Sequence, residues 1–123
     1  MTGPKARLVL VHGTRVSGIQ WAAHRTWLEP EFEVVTPDLP RHGVRADVPF
    51  SMAAAVDVVA EAVEGAPDGI PVVVAGHSLG GYVAMTYASE HSDRLAGLVL
   101  IGSTAVPSGP GAAIYRALGW ATD

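Results

Sequence analysis

Six consecutive residues, Gly76-His77-Ser78-Leu79-Gly80-Gly81, set a hydroxyl among glycines. Before them runs Val72-Val73-Val74-Ala75, an apolar stretch of strand type; after them Leu79, Val83, Met85, Tyr87 and Ala88 recur near helical spacing over 79–90. A serine on a sharp strand-to-helix turn is pushed above the sheet edge, where a carbonyl carbon can reach its oxygen. Gly76 and Gly80, two residues to either side, allow a tight turn and a close approach of strand and helix without Cβ clashes. The helix that follows aims its first N–H groups and the positive end of its dipole at the place where an attacked carbonyl gathers negative charge. The Gly-x-Ser-x-Gly string alone is weak evidence, and its position between strand and helix gives it meaning. The plainer alternative is a glycine-rich helix start with Ser78 as its N-cap.

Acyl transfer needs at least two N–H donors facing the oxyanion. Leu79, next after the serine, supplies one. The second should come from the loop after a neighbouring strand. The first strand ends in His12-Gly13-Thr14-Arg15, and the N–H of Thr14 or Arg15 is placed for this if the first and third strands are adjacent. A spatial order of second, first, third, fourth makes them so. It also puts the switch point of the sheet, where open α/β sheets bind ligands, between those two strands.

The elements that must position these groups are legible as an alternation. Strands are expected at Ala6–Val11, Phe32–Thr36, Val72–Ala75 and Leu98–Ile101, and three of them are near-continuous apolar runs that suit a parallel sheet. Helical spacing joins Ile19, Ala22, Ala23 and Trp27 in 18–28. In 51–64 it joins Met52, Val56, Val59, Ala60 and Val63, with Ser51 as N-cap and Gly65 as stop. The fold class is therefore α/β, a mostly parallel sheet of about four strands with flanking helices. Residues 1–106 make one unit, and Pro107–Asp123 changes character and reads as the incomplete start of a cap or lid. Trp21 and Trp27 are expected in the core.

Composition narrows the function classes. The 123 residues are 49% hydrophobic and carry a formal net charge of −4, without a Lys/Arg run, so nucleic acid is not an expected partner. There is no cysteine, which excludes disulfides, thiolate zinc sites and a thiol nucleophile within this sequence. No apolar run approaches a membrane span, and the start lacks signal-peptide character, so a cytoplasmic protein is expected. No two histidines have metal-ligand spacing on one element, so neither metal nor cofactor is expected.

His12-Gly13-Thr14, Trp21, Asp38-Leu39-Pro40-Arg41-His42-Gly43 and Gly76-His77-Ser78-Leu79-Gly80-Gly81 resemble, in order and spacing, the N-terminal half of the α/β-hydrolase family, over roughly residues 6–106. The likeness is strongest to small bacterial esterase and lipase-like members. It implies a partial α/β-hydrolase fold, a serine hydrolase acting on small carboxylic esters or related acyl substrates, and Ser78 as nucleophile. It further implies Thr14 and Leu79 backbone N–H groups as the oxyanion hole, with His12, Gly13, Gly76, His77 and Gly80 in support. His12 would brace the oxyanion loop. Dehalogenase and epoxide-hydrolase relatives carry aspartate at the nucleophile position, and Ser78 argues against those activities.

A serine hydroxyl needs a base. The family supplies an acid and then a histidine after the serine, yet after Ser78 the sequence offers only Glu90, Asp93 and Asp123 with His91. His91 ends the third helix, about 18 Å from the serine at 1.5 Å per residue, which disfavours it as the base. His77 reads as packing against the loop, His42 as a turn residue and His24 as surface. The expectation is a truncated hydrolase, inactive by itself, and the competing class is a non-catalytic interaction or ligand-binding module. Leu98–Ile101 would be an apolar edge strand without proline, charge or cover, so self-association through it is expected.

Overall fold

A computed structural model describes residues 3–103. The expected cap segment, Pro107–Asp123, lies outside the described residues. The elements run β1 (Arg7–Val11), a 3-10 turn (Gly18–Trp21), α1 (Ala22–Leu28), β2 (Glu33–Val35), α2 (Met52–Glu64), β3 (Val72–His77), α3 (Leu79–His91) and β4 (Gly97–Ile101). The sheet order is β2-β1-β3-β4 and every neighbouring pair is parallel. This is the expected α/β class and order. Register sets Val11 beside Gly76 and His77 beside Ile101, so the carboxyl ends of the three strands β1, β3 and β4 finish together.

Strand β1 shows how the sheet divides its residues. Side chains alternate across a strand. Val9 and Val11 therefore enter a core with Val72 and Val74 of β3, Val59 of α2 and Val83 of α3, while Leu10 joins Trp21 and Val34 on the opposite face. Helix α2 begins where Ser51 Oγ accepts the Ala54 N–H at 3.0 Å and ends at Gly65, whose N–H reaches Glu61 O. Its buried stripe is Ala55, Val58, Val59, Ala62 and Val63, one helical face. That face is rotated from the one read in the sequence: Met52 is exposed and Val56 and Ala60 are half-buried. Alanine fits against the sheet at Ala55 and Ala62, and the larger flanking residues fall to the stripe's margins.

The 18–28 segment departs further from expectation. It opens as a 3-10 turn because Asp38 accepts the Gly18 N–H at 2.7 Å and Ser17 Oγ the Ile19 N–H, and only then continues as α1. Trp21 is buried as expected, but Trp27 is 86% exposed, which corrects its placement in the core. One helical step of about 100° separates it from Leu28, which packs toward the sheet. At the other sheet edge Leu98, Val99, Leu100 and Ile101 of β4 all stand exposed, and among the described residues no strand pairs with β4 on its outer side.

Candidate functional site

Ser78 sits between the end of β3 and the start of α3 with φ 52° and ψ −116°. A non-glycine residue there carries strain of about 1–3 kcal/mol and persists only where its surroundings hold it. They do. The Ser78 N–H donates to Ile101 O of β4 at 2.9 Å, and its carbonyl accepts from Gly81 N at 2.9 Å and Tyr82 N at 3.2 Å. The Ser103 hydroxyl adds a third bond to the same carbonyl at 2.9 Å. Ser78 occupies the N-cap position of α3, but its side chain makes no capping bond to the helix.

The glycines act by close approach. A Cβ on Gly76 would lie 2.4 Å from Gly80 O, and one on Gly80 would lie 2.2 Å from Val11 O and 2.5 Å from His12 O. Helix α3 thus begins directly against the end of β1, and the loop that starts at His12 meets the Ser78 bend. Leu79 is the first residue of α3, where a backbone N–H has no partner four residues back.

Hydrogen-bond logic fixes the loop after β1. The Leu39 N–H can only donate, and it points at His12 Nε2 at 3.0 Å; Nε2 therefore accepts and the ring proton is on Nδ1, which donates to Gly13 O at 2.7 Å. In a trans peptide C=O and N–H point opposite ways, so Thr14 N–H is directed away from the His12 ring. The Gly13 N–H is also taken, by Gln20 Oε1 at 3.0 Å. His12 is fully buried, and burial pushes its pKa below the ordinary imidazole value; the Gly13 carbonyl opposes that and nearby His42 adds to it.

The loop after β2 braces this arrangement. Asp38 accepts Gly18 N–H at 2.7 Å and Val44 N–H at 2.9 Å. Burial alone would raise its carboxyl, but those two bonds, with His12 and Arg45 nearby, hold it below the usual carboxylate value. Gly43 has φ 52°, and a Cβ there would run into the Asp38 carboxylate. His42 is buried, donates from Nδ1 to Pro40 O at 2.8 Å, and lies 5.0 Å from the His12 ring centre.

The structure therefore brings together His12, Gly13, Thr14, Gly76, His77, Ser78, Leu79 and Gly80. His24 is exposed on α1, and His91 stacks on Tyr87, ring centres 5.0 Å apart, at the far end of α3. Three residues were missed in the sequence: Gln20, which also contacts His77 Nδ1 at 3.0 Å, Ser103, and Asp38 as a loop anchor. No motif pointed to Gln20 or Ser103, because both act through contacts distant in sequence. Among the described residues no cluster of three His, Cys, Asp or Glu side chains is arranged to hold a metal.

Parallel strands in this order, crossed by helices, with a strained serine after the third strand, define an α/β-hydrolase sheet. The chain belongs to the alpha/beta hydrolase family, whose sequence profile matches residues 8–122. It is 40% identical over 103 residues to Lipase LipV of Mycobacterium tuberculosis, covering 81% of this chain and 38% of that protein. Over 105 residues it is 36% identical to a pimeloyl-[acyl-carrier protein] methyl ester esterase of Vibrio cholerae, covering 85% of this chain and 39% of that one. A solved thermophilic esterase from Thermogutta terrifontis superposes with a TM-score of 0.79 at 37% identity, over 94% of this chain and 43% of its own. The chain thus spans about two-fifths of the length of these relatives.

Proposed function

We propose that Ser78 is the nucleophile of a serine hydrolase site for small carboxylic esters. The observation that carries this is the strained Ser78 backbone at the carboxyl end of a central strand, with the loop beginning at His12 packed against it through Gly80. In this reading Ser78 Oγ attacks the ester carbonyl carbon. The Leu79 and Thr14 N–H groups receive the charge that gathers on its oxygen, and the α3 N-terminus adds its dipole. The alcohol leaves, and water then attacks the acyl-serine and releases the acid. The relatives named as an esterase and a lipase support an ester as the substrate class.

The serine proton needs an acceptor. His12 has both ring nitrogens occupied, His77 Nδ1 is bonded to Gln20, and His91 lies at the far end of α3. These 123 residues by themselves should therefore turn over an ester slowly, at the level that oxyanion donors and substrate binding give without a full triad, about 10³–10⁴ over water. The same observation supports a second reading, a non-catalytic ligand-binding module. Hydrolysis of an activated acetate ester by the parent chain and by Ser78→Ala separates the two. A slower Ser78→Ala supports the hydrolase, and equal rates remove Ser78 from any mechanism. For the open edge we infer self-association of two copies through Leu98–Ile101, exposed in all four positions. Light scattering should show dimers or larger species at high concentration, and a monomer at all concentrations would count against it.

A further inference from the structure

We infer that Gln20 is a positioning residue that ties the loop after β1 to the Ser78 bend and thereby decides which backbone amide of that loop is offered to substrate. The inference rests on the reading of Ser78 and Thr14 above and deepens it. The Gly13 N–H can only donate, so the Gln20 oxygen must face it, at 3.0 Å. The amide nitrogen of Gln20 then faces His77 Nδ1, also at 3.0 Å. Since that nitrogen only donates, His77 Nδ1 must accept, and a neutral His77 carries its proton on Nε2.

One half-buried amide thus joins Gly13, which precedes Thr14, to His77, which precedes Ser78. The His77 ring lies close to both Gly13 and Gly102. A Cβ on Gly13 would lie 2.9 Å from its Nδ1, and one on Gly102, at the end of β4, 3.7 Å from the ring. Two consequences follow for the site. The Gly13 N–H is engaged by Gln20 and does not point at substrate. The Gly13 carbonyl is held by His12. Gly13 is therefore held at both of its backbone groups, N–H by Gln20 and C=O by His12, and Thr14 N–H is the loop amide directed onward. The separation between the Thr14 and Leu79 donors is set through Gln20, and small misplacements of such donors cost large factors in rate.

The test compares the parent chain with Gln20→Ala and Gln20→Glu by NMR of the Gly13 and Thr14 amides and the His77 ring nitrogens, together with the Ser78-dependent part of activated-ester hydrolysis. In the parent, His77 should show the Nε2–H form. Gln20→Ala should expose the Gly13 amide to solvent exchange, shift Thr14, release the His77 tautomer and lower the Ser78-dependent rate about tenfold. Gln20→Glu keeps an acceptor for Gly13 but offers His77 no donor, so Gly13 should stay protected while His77 moves its proton to Nδ1. A purely structural role would not produce that split. Gly13 and His77 signals in Gln20→Ala matching the parent would overturn the inference, as would changed signals with an unchanged Ser78-dependent rate. A parent with no Ser78-dependent rate overturns the nucleophile reading instead, and the ring and amide signals then decide the Gln20 tie by themselves.

Discussion

The two faces of the sheet are built from the same valines and leucines and end in different states. The face under α2 and α3 closes over a cluster of thirteen buried residues, among them Val74 and Val59 with no exposure, whereas the α1 face buries only Leu10, Trp21 and Val34 in its cluster. On that second face Val73, Val99 and Ile101 line an open groove with Leu8, Leu10 and Trp21. The closed face anchors the site, since α3 begins directly after Ser78 and Gly80 locks it to the end of β1. Apolar composition says what a strand can bury against. Whether it does so depends on the helix that follows, and among the described residues only α1 follows on the open side. The buried packing behind the serine bend therefore lies on the closed face, while the Gln20–His77 tie reaches the bend from the α1 side, and core variants on the two faces should behave differently.

The largest effect should come from Gly80→Ala. Its methyl would meet backbone oxygens of Val11 and His12 rather than a movable side chain. We expect a loss of about 3 kcal/mol or more, read as a fall in the denaturation midpoint. Wild-type stability in that variant would mean the bend and the first loop are not locked together. Next comes the direct contrast of faces. Val74→Ala, in the closed core, should cost about 2–3 kcal/mol, and Val99→Ala, 48% exposed on the open face, less than about 0.5 kcal/mol. Equal costs would erase the distinction between the faces.

A smaller effect is pH-dependent and local to the loops. The His12 pKa is lowered on folding, so the unfolded chain binds its proton first. Stability should be full above 6.5 and decline as pH falls from there through the folded value. Asp38 is also lowered, so it acts with the same sign in a separate window. Its contribution is full above 3.8 and is lost as pH falls below that. Thermal melts across pH should show two steps, with the upper one absent in His12→Gln; a melt independent of pH between 7 and 5 would contradict the buried neutral His12 (that range spans its ordinary value). The smallest effect should be Trp27→Ala, whose side chain is 86% exposed and whose melt should match the parent's.

How much of this was readable beforehand follows from how local each signal is. Strand order, the Ser78 bend and the Ser51 and Gly65 caps could be read because each rests on adjacent residues or on hydrophobic runs. Trp27 could not, because a seven-residue helix shows too little of its period to say which side faces inward. The contacts of His42 with His12 and of Ser103 with Ser78 join separate strand ends, and nothing in either stretch names its partner. Gln20 is the clearest case. Glutamine carries no motif, and its importance appears only when Gly13 and His77 are found on either side of it.

We infer that the Ser78 hydroxyl, presented at a strained bend, is the most reactive serine among the described residues. This is tested most directly by treating the chain with a serine-reactive fluorophosphonate and mapping the modified residue by mass spectrometry. Label at Ser78 should stand well above that at Ser17, Ser51, Ser89 or Ser103, with none gained elsewhere in Ser78→Ala. Label spread evenly over those serines, or an unchanged total in Ser78→Ala, would contradict it.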